Sequence, residues 1–253
     1  GAPGNIERRV RENTIKSKIY IFKGNDLTVD AIDLIITQFF NKDIRGVGGK
    51  KIGIIGAGNI GSKIGLYLTE RGAKVYLNRR NKKKLSHIVK AINLLKPSNS
   101  KENAIQSDKL TASRNADVLI GSSNGKAVID SKMINSLKKN SIIIDAGKGT
   151  LTEKALSFAI KRKFKIYRVD IFPSLEGLIA KSFSMENQIV KYSKKKKVNG
   201  FNILNTGVLG RYGDIIVDNI DDIKIVYGIC DGKGDFIRKI PTKYKTIINK
   251  LTR

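Results

Sequence analysis

The spacing of apolar positions changes several times along the chain, and each change marks an element. From Thr28 to about Asn41, Val29, Ile32, Ile36 and Phe40 recur at helical spacing with Ile35 and Phe39 beside them, which predicts a helix with one buried face. Lys51-Ile52-Gly53-Ile54-Ile55 is instead a short continuous apolar run, the pattern of a strand covered on both faces. A helix from Asn59 to about Arg71, a strand over Ala73–Leu77 and a helix over Leu85–Leu95, stopped by Lys96-Pro97, follow. Then come a strand at Ala116–Gly121, a helix at Asp130–Leu137 with Asp130 as N-cap, and a strand at Ser141–Ile144. An amphipathic helix over Thr152–Arg162 leads to a strand at Lys165–Asp170. Strands alternating with helices at this cadence predict right-handed crossovers and a doubly wound parallel sheet of the α/β class.

Outside this regular stretch the pattern is weaker. Ile19-Tyr20-Ile21-Phe22 and Lys109-Leu110-Thr111 read as short strands, and Ser98–Gln106 as a polar loop or short helix. Phe172-Pro173 ends the regular part. A helix over Leu175–Ser182, a polar segment, hairpin turns at Asn205-Thr206-Gly207 and Asp231-Gly232-Lys233-Gly234-Asp235, and a closing helix over Lys243–Leu251 are expected beyond it. Three regions result: a helical lead-in over 1–47, a dinucleotide-binding domain over 48–172, and a small α+β region over 173–253 for substrate or dimerisation.

Between the first strand and the helix after it stands Gly56-Ala57-Gly58-Asn59-Ile60-Gly61. In this strand-to-helix setting Gly56 permits a sharp turn, Gly58 leaves room for a phosphate, and Gly61 lets helix and strand pack closely. The helix N-terminus, at Asn59 and Ile60, offers N–H groups and the positive end of a dipole to a diphosphate. The motif and its surroundings predict a Rossmann dinucleotide site.

The second strand runs into Asn78-Arg79-Arg80-Asn81. A protein that prefers NAD usually has a carboxylate here for the adenosine ribose, and that carboxylate would repel a 2′-phosphate. Here Arg79 and Arg80 supply planar donor forks instead, with Lys82-Lys83-Lys84 adding positive potential, so NADP is the expected cofactor. Two exposed arginines at the start of a loop would give the same sequence. Ser122, Ser123 and Asn124 follow the strand ending at Gly121, at the end of the sheet where a nicotinamide ribose would lie; an ordinary loop cap fits them equally. Asp145-Ala146-Gly147-Lys148-Gly149-Thr150 follows the next strand, and Gly147 implies close backbone approach to a ligand. Asp145 and Lys148 are the ionisable candidates there, since a lysine can polarise a carbonyl or transfer a proton. Asp145 could equally serve only neighbouring backbone N–H groups, and Lys148 could be a solvated turn residue.

Composition adds limits. The chain has 253 residues, 40% of them hydrophobic, and no apolar run near the ~20 residues that span a bilayer. Gly1–Arg11 is too charged for a secretory leader, so a soluble cytoplasmic protein without membrane contact is expected. The net charge of +27 is mostly lysine spread along the chain with abundant Ile and Asn, a pattern that compositional bias also produces. Lys82–Lys84 and Lys194–Lys197 are the dense clusters, and neither is interleaved with aromatic residues that would stack bases. A solvated face or loop is the expectation for both, and nucleic acid is not an expected partner. Cys230, the single cysteine, excludes an intrachain disulfide and lies in an apolar strand-like run where a buried thiol is expected. His87, the single histidine, sits on a lysine-rich helix away from the strand ends. No metal-ligating cluster is visible, and the Asp-rich turn at Asp231 lacks EF-hand spacing.

Lys51 to about Phe172 resembles the cofactor domain of NAD(P)-dependent dehydrogenases. Ala116–Gly149 is similar to the part of D-2-hydroxyacid dehydrogenases that leads to an Asn-Thr-Ala-Arg-Gly motif, and Val169-Asp170-Ile171-Phe172 to their later Asp-Val-Phe strand. Ala116-Asp117, Asn124-Gly125, Ile143-Ile144 and Gly147 also resemble S-adenosylhomocysteine hydrolase. Asn78-Arg79-Arg80 resembles the NADP loop of shikimate dehydrogenases. Lys148 stands where hydroxyacid dehydrogenases have a substrate-binding arginine, and no histidine occupies the position of their general acid.

The resulting expectation is an NADP-dependent oxidoreductase acting on a small carbonyl or imine, with Lys148 or Asp170 handling the proton. A basic crevice favours an anionic small-molecule substrate, and a homodimer is the commonest assembly. A redox-silent NADP(H)-binding regulator or scaffold is the alternative from another class, and nucleic-acid binding through Lys194–Lys197 the third.

Overall fold

The computed structural model describes residues 4–192 and 194–252. Gly1-Ala2-Pro3, part of the polar opening considered above, lies outside them. The chain divides into two compact units, Gly1–Gly177 and Leu178–Arg253.

The first unit is built on six parallel strands: β1 (Lys51–Ile55), β2 (Lys74–Asn78), β3 (Ala104–Gln106), β4 (Val118–Gly121), β5 (Ile142–Asp145) and β6 (Lys165–Arg168). Their order across the sheet is β3-β2-β1-β4-β5-β6. Ile54 pairs with Leu77 on one side and with Ile120 on the other, which sets the register at the centre. The central strands β1, β4 and β5 are apolar at nearly every position because both faces are covered, whereas the edge strands β3 and β6 are largely exposed. Ile52, Ile54, Val118, Ile120, Ile142 and Ile144 point into one core, while Ile55, Leu119 and Ile143 point into the other.

Helices fill both layers. On the first face lie α2 (Gly24–Phe39), α3 (Asn59–Glu70) and α4 (Lys82–Leu95), which bury Ile32 and Ile36, Ile64 and Leu68, and Leu85 and Ile92. On the second face, α5 (Lys109–Ser113), α6 (Ser131–Asn135) and α7 (Glu153–Lys161) contribute Ala112, Met133, Ile134, Ala155 and Ala159. Three of these helices start on N-caps that the sequence encodes locally. Asp108 accepts from Thr111 N, Asp130 from Met133 N and Thr152 from Ala155 N. Helix α2 belongs to this core, and ion pairs Lys63–Asp26 and Arg71–Asp33 join it to the α3 segment.

Several expectations are corrected. Ile19–Phe22 is not a strand: between α1 (Gly4–Asn13) and α2, Tyr20, Ile21 and Phe22 are exposed, and among the described residues no strand pairs with them. Lys109–Thr111 is the first turn of α5, because Asp108 caps it. The polar stretch 98–106 ends in β3, whose three residues owe their strand form to pairing with β2. Lys82–Lys84, by contrast, are on a solvated face as expected, in the exposed first turn of α4, whose N-cap is Asn81.

Helix α8 (Phe172–Tyr192) is longer than the predicted Leu175–Ser182, and the unit boundary falls within it. The second unit has a four-stranded sheet in the order β10-β9-β8-β7, made of β7 (Lys195–Val198), β8 (Phe201–Asn205), β9 (Ile215–Val217) and β10 (Val226–Ile229). Its core joins Ile203, Ile215, Val217 and Ile229 to Tyr244 and Ile247 of α9 (Thr242–Leu251). The lysine run is therefore the edge strand β7 and not a loop, its lysines exposed, an arrangement that discourages addition of another strand. Asn205-Thr206-Gly207 is not a hairpin turn either, because β8 and β9 are parallel. The buried Asn205 donates to Lys191 O at 2.6 Å and accepts from Ile220 N at 2.7 Å. Cys230 is buried, and burial pushes its thiol pKa above the ordinary value. No described helix is long and apolar enough to cross a membrane.

Candidate functional site

The strand order reverses between β1 and β4, and a cleft of about 940 Å³ opens there at the carboxyl ends of the parallel strands. The glycine motif forms its floor. Gly56 has φ +112°, and a Cβ on it would lie 2.7 Å from Ser122 C and from Ser123 N. A Cβ on Gly61 would lie 2.4 Å from Gly56 O, so only glycine lets α3 sit this close to the turn. Gly58 differs: a Cβ there would have only Gly56 O nearby, at 3.9 Å, because the residue borders the cleft. Gly58 is also the N-cap of α3 and gives no side-chain cap, leaving the first-turn N–H groups without intrahelical partners. A diphosphate fits this floor.

Most of the predicted site residues meet here. Gly56, Gly58, Asn59, Ile60, Asn78, Arg79 and Arg80 border the cleft, as do Ser122, Ser123, Asn124, Gly147 and Lys148. The roles of their polar atoms differ. Asn78 is buried; its carbonyl accepts from Gly56 N and Ala57 N, and its amide donates to Ser107 O at 2.8 Å. Arg79 donates to Ala57 O at 2.5 Å, so its guanidinium is anchored on the glycine loop. Ser122 Oγ donates to Gly56 O at 2.8 Å, and Ser123 Oγ to Lys126 O at 2.7 Å. Asn78, Arg79, Ser122 and Ser123 thus brace the cleft's walls, while Arg80, Asn124 and Lys148 are exposed to it.

Gly61, Asp145 and Asp170 lie outside the lining. Gly61 is packed beneath the motif. Asp145 accepts from Gly149 N (2.6 Å), Thr150 Oγ1 (2.8 Å), Gly147 N (3.2 Å) and Thr150 N (3.3 Å). Its carboxylate thus shapes the loop that carries Lys148, a non-glycine residue at φ +58°. Asp170 is exposed and accepts from Phe172 N at 3.0 Å, at the start of α8. His87 is exposed on α4 and does not line the cleft.

The sequence reading missed two groups. Gly24, Asn25 and Thr28 of α2 reach the cleft, and Asn25 Nδ2 donates to Asn59 Oδ1 at 3.2 Å. Lys109, whose Nζ donates to Val128 O at 3.3 Å, and Lys126 also line it. Only the capping Asp108 signalled that Lys109 opens a helix, and no local pattern marked Lys126. Among the described lining residues there are five cations, Arg79, Arg80, Lys109, Lys126 and Lys148, and no carboxylate. Among the described residues no group of three or more metal-binding side chains occurs.

The chain is 33% identical over 117 residues to a glutamyl-tRNA reductase from Thermosipho melanesiensis, which is 46% of this chain and 29% of that protein. It thus spans under a third of the length of that curated relative. Solved structures similar to it include the A chain of dipicolinate synthase from Bacillus subtilis, with 16% identity, a TM-score of 0.44 and coverage of 77% of this chain and 65% of that one. A D-lactate dehydrogenase from Salmonella gives 14% identity and a TM-score of 0.45, over 59% and 49% of the two chains. The model of the NAD binding domain of D-isomer specific 2-hydroxyacid dehydrogenases matches residues 37–190, well over half of the chain. With its glycine motif, parallel sheet and cleft at the switch point, the chain belongs to that family of nicotinamide dinucleotide-binding domains.

Proposed function

We propose that the protein is an NADP-dependent oxidoreductase that moves a hydride between NADP(H) and a small anionic carbonyl or imine compound. The observation that carries this reading is the cleft itself: a glycine motif at a helix N-terminus, five cations and no carboxylate among the described lining residues. Gly58 and the first turn of α3 would hold the diphosphate. Arg79, anchored on Ala57 O, and Arg80 would hold the 2′-phosphate, at the place where NAD-preferring domains use an acid. Lys82–Lys84 support this assignment, because cations at a helix N-terminus cost roughly 0.3–1 kcal/mol each and a nearby phosphate offsets that.

When bound, the cofactor would supply the hydride in the reductive direction. Lys148, exposed on the loop after β5, would hydrogen-bond the carbonyl oxygen and deliver the proton. Asp145 and Asp170 are assigned no proton, since neither lines the cleft and each directs its carboxylate to backbone N–H groups of its own loop. The cleft walls braced by Ser122 and Ser123 would keep reacting atoms aligned.

The test is titration with NADPH and with NADH, followed by nicotinamide fluorescence, for the wild type and the R79A/R80A double variant. The expected result is at least about tenfold tighter binding of NADPH, or ~1.4 kcal/mol, lost in the double variant. Binding of neither cofactor would remove the reading. Tight NADPH binding with no turnover on any carbonyl or imine compound would favour a redox-silent regulator instead.

A further inference from the structure

The loops after β4 and β5 each bring one lysine to the cleft. Gly125 N donates to Gly147 O at 2.9 Å, so the two loops are tied together immediately before Lys126 and Lys148. Ser123 Oγ closes the first loop on Lys126 O, and Asp145 closes the second around Gly147, Gly149 and Thr150. The backbones that carry both lysines are therefore held by hydrogen bonds, while both side chains are exposed. Among the described residues neither lysine has an ion pair, and no carboxylate lines the cleft.

The proposed function uses Lys148 but leaves Lys126 unassigned. Lys109 is occupied differently, since its ammonium reaches Val128 O. Two exposed cations carried on linked, hydrogen-bonded loops offer one anion-binding position each to a ligand in the cleft. A carbonyl compound with one anionic group would engage only one of these two cations.

Resting on the oxidoreductase reading, we propose that the substrate carries two anionic groups and that Lys126 is the specificity residue that binds the second. The ligand class is a short dianion, with Lys148 serving the reacting end and Lys126 the distal carboxylate or phosphate. Lys126 takes no part in hydride or proton movement.

The experiment uses the full chain saturated with NADPH, titrated calorimetrically with malonate as dianion and acetate as monoanion, in low salt. The expected result is malonate binding about tenfold tighter than acetate. K126Q is expected to reduce that ratio to near unity through loss of malonate affinity, and K126R to retain it. A purely structural lysine would leave the ratio where it was in the wild type. Equal affinities in the wild type, or a ratio untouched by K126Q, would overturn the proposal. NADPH binding is measured first; if it fails, the oxidoreductase reading fails, and the same malonate and acetate titrations of the protein alone still decide the role of Lys126.

Discussion

Replacing Asp145 separates two roles for a carboxylate beside a cleft. The D145A variant removes four hydrogen bonds, two short (2.6 and 2.8 Å) and two long (3.2 and 3.3 Å). Bonds to a charged group contribute roughly 1.5–3 kcal/mol each; counting the short pair in full, the long pair as marginal, and discounting for a half-buried carboxylate gives a loss of ~3 kcal/mol. For a chain of this size each kcal/mol moves Tm by about 2–4 °C, so a fall of about 6–12 °C is expected. D145N keeps the shape and one acceptor but turns an amide NH2 toward N–H donors, and roughly half of the loss is expected. Urea unfolding read by circular dichroism measures both. The damage should spread to the β4 side, because Thr150 O also accepts from Val128 N and Ile129 N. A D145A variant within ~1 kcal/mol of wild type that nonetheless abolished turnover would refute the structural assignment and return Asp145 to the chemistry.

Other outcomes follow from the same geometry. G61A places a methyl 2.4 Å from Gly56 O, a backbone contact that must shift; a stability loss of ~1–3 kcal/mol and loss of NADPH binding are expected by unfolding and fluorescence titration. K148G relieves a left-handed non-glycine residue at φ +58° and should unfold no more easily than wild type, while losing turnover by at least about 10²-fold; full activity would remove Lys148 from the mechanism. D108A removes the cap of α5 and should cost ~1 kcal/mol at pH 7. The Thr111 hydroxyl and N–H hold the Asp108 carboxyl below its ordinary value, so its contribution is present above the unfolded pKa and is lost as pH falls through the folded one. The difference between D108A and wild type should therefore shrink below about pH 4, and a constant difference would count against the cap.

Legibility varied with the range of the forces involved. β1, α3 and the Asp130 cap were visible because apolar period and cap chemistry act within a few residues. β3 was not, since three residues become a strand only through pairing with β2. Lys195–Lys197 read as a solvated segment, yet pairing with Leu204, Ile203 and Asn202 makes it a strand whose lysines remain in water. Of the site, the glycine motif and Arg79-Arg80 were legible from spacing. The anchoring of Arg79 on Ala57 O and the arrival of Asn25 from α2 were not.

By itself the sequence determined the alternation of strand and helix, the glycine turn and the basic segment after β2. Each follows from steric and hydrogen-bonding rules that operate along a short stretch of backbone. Only the tertiary structure decided that Asp145 braces a loop, that α2 joins the cleft wall, and that Lys109 and Lys126 face the same space as Lys148. Those outcomes depend on strand order and register, which bring residues distant in sequence to one end of the sheet, and no local pattern encodes that meeting.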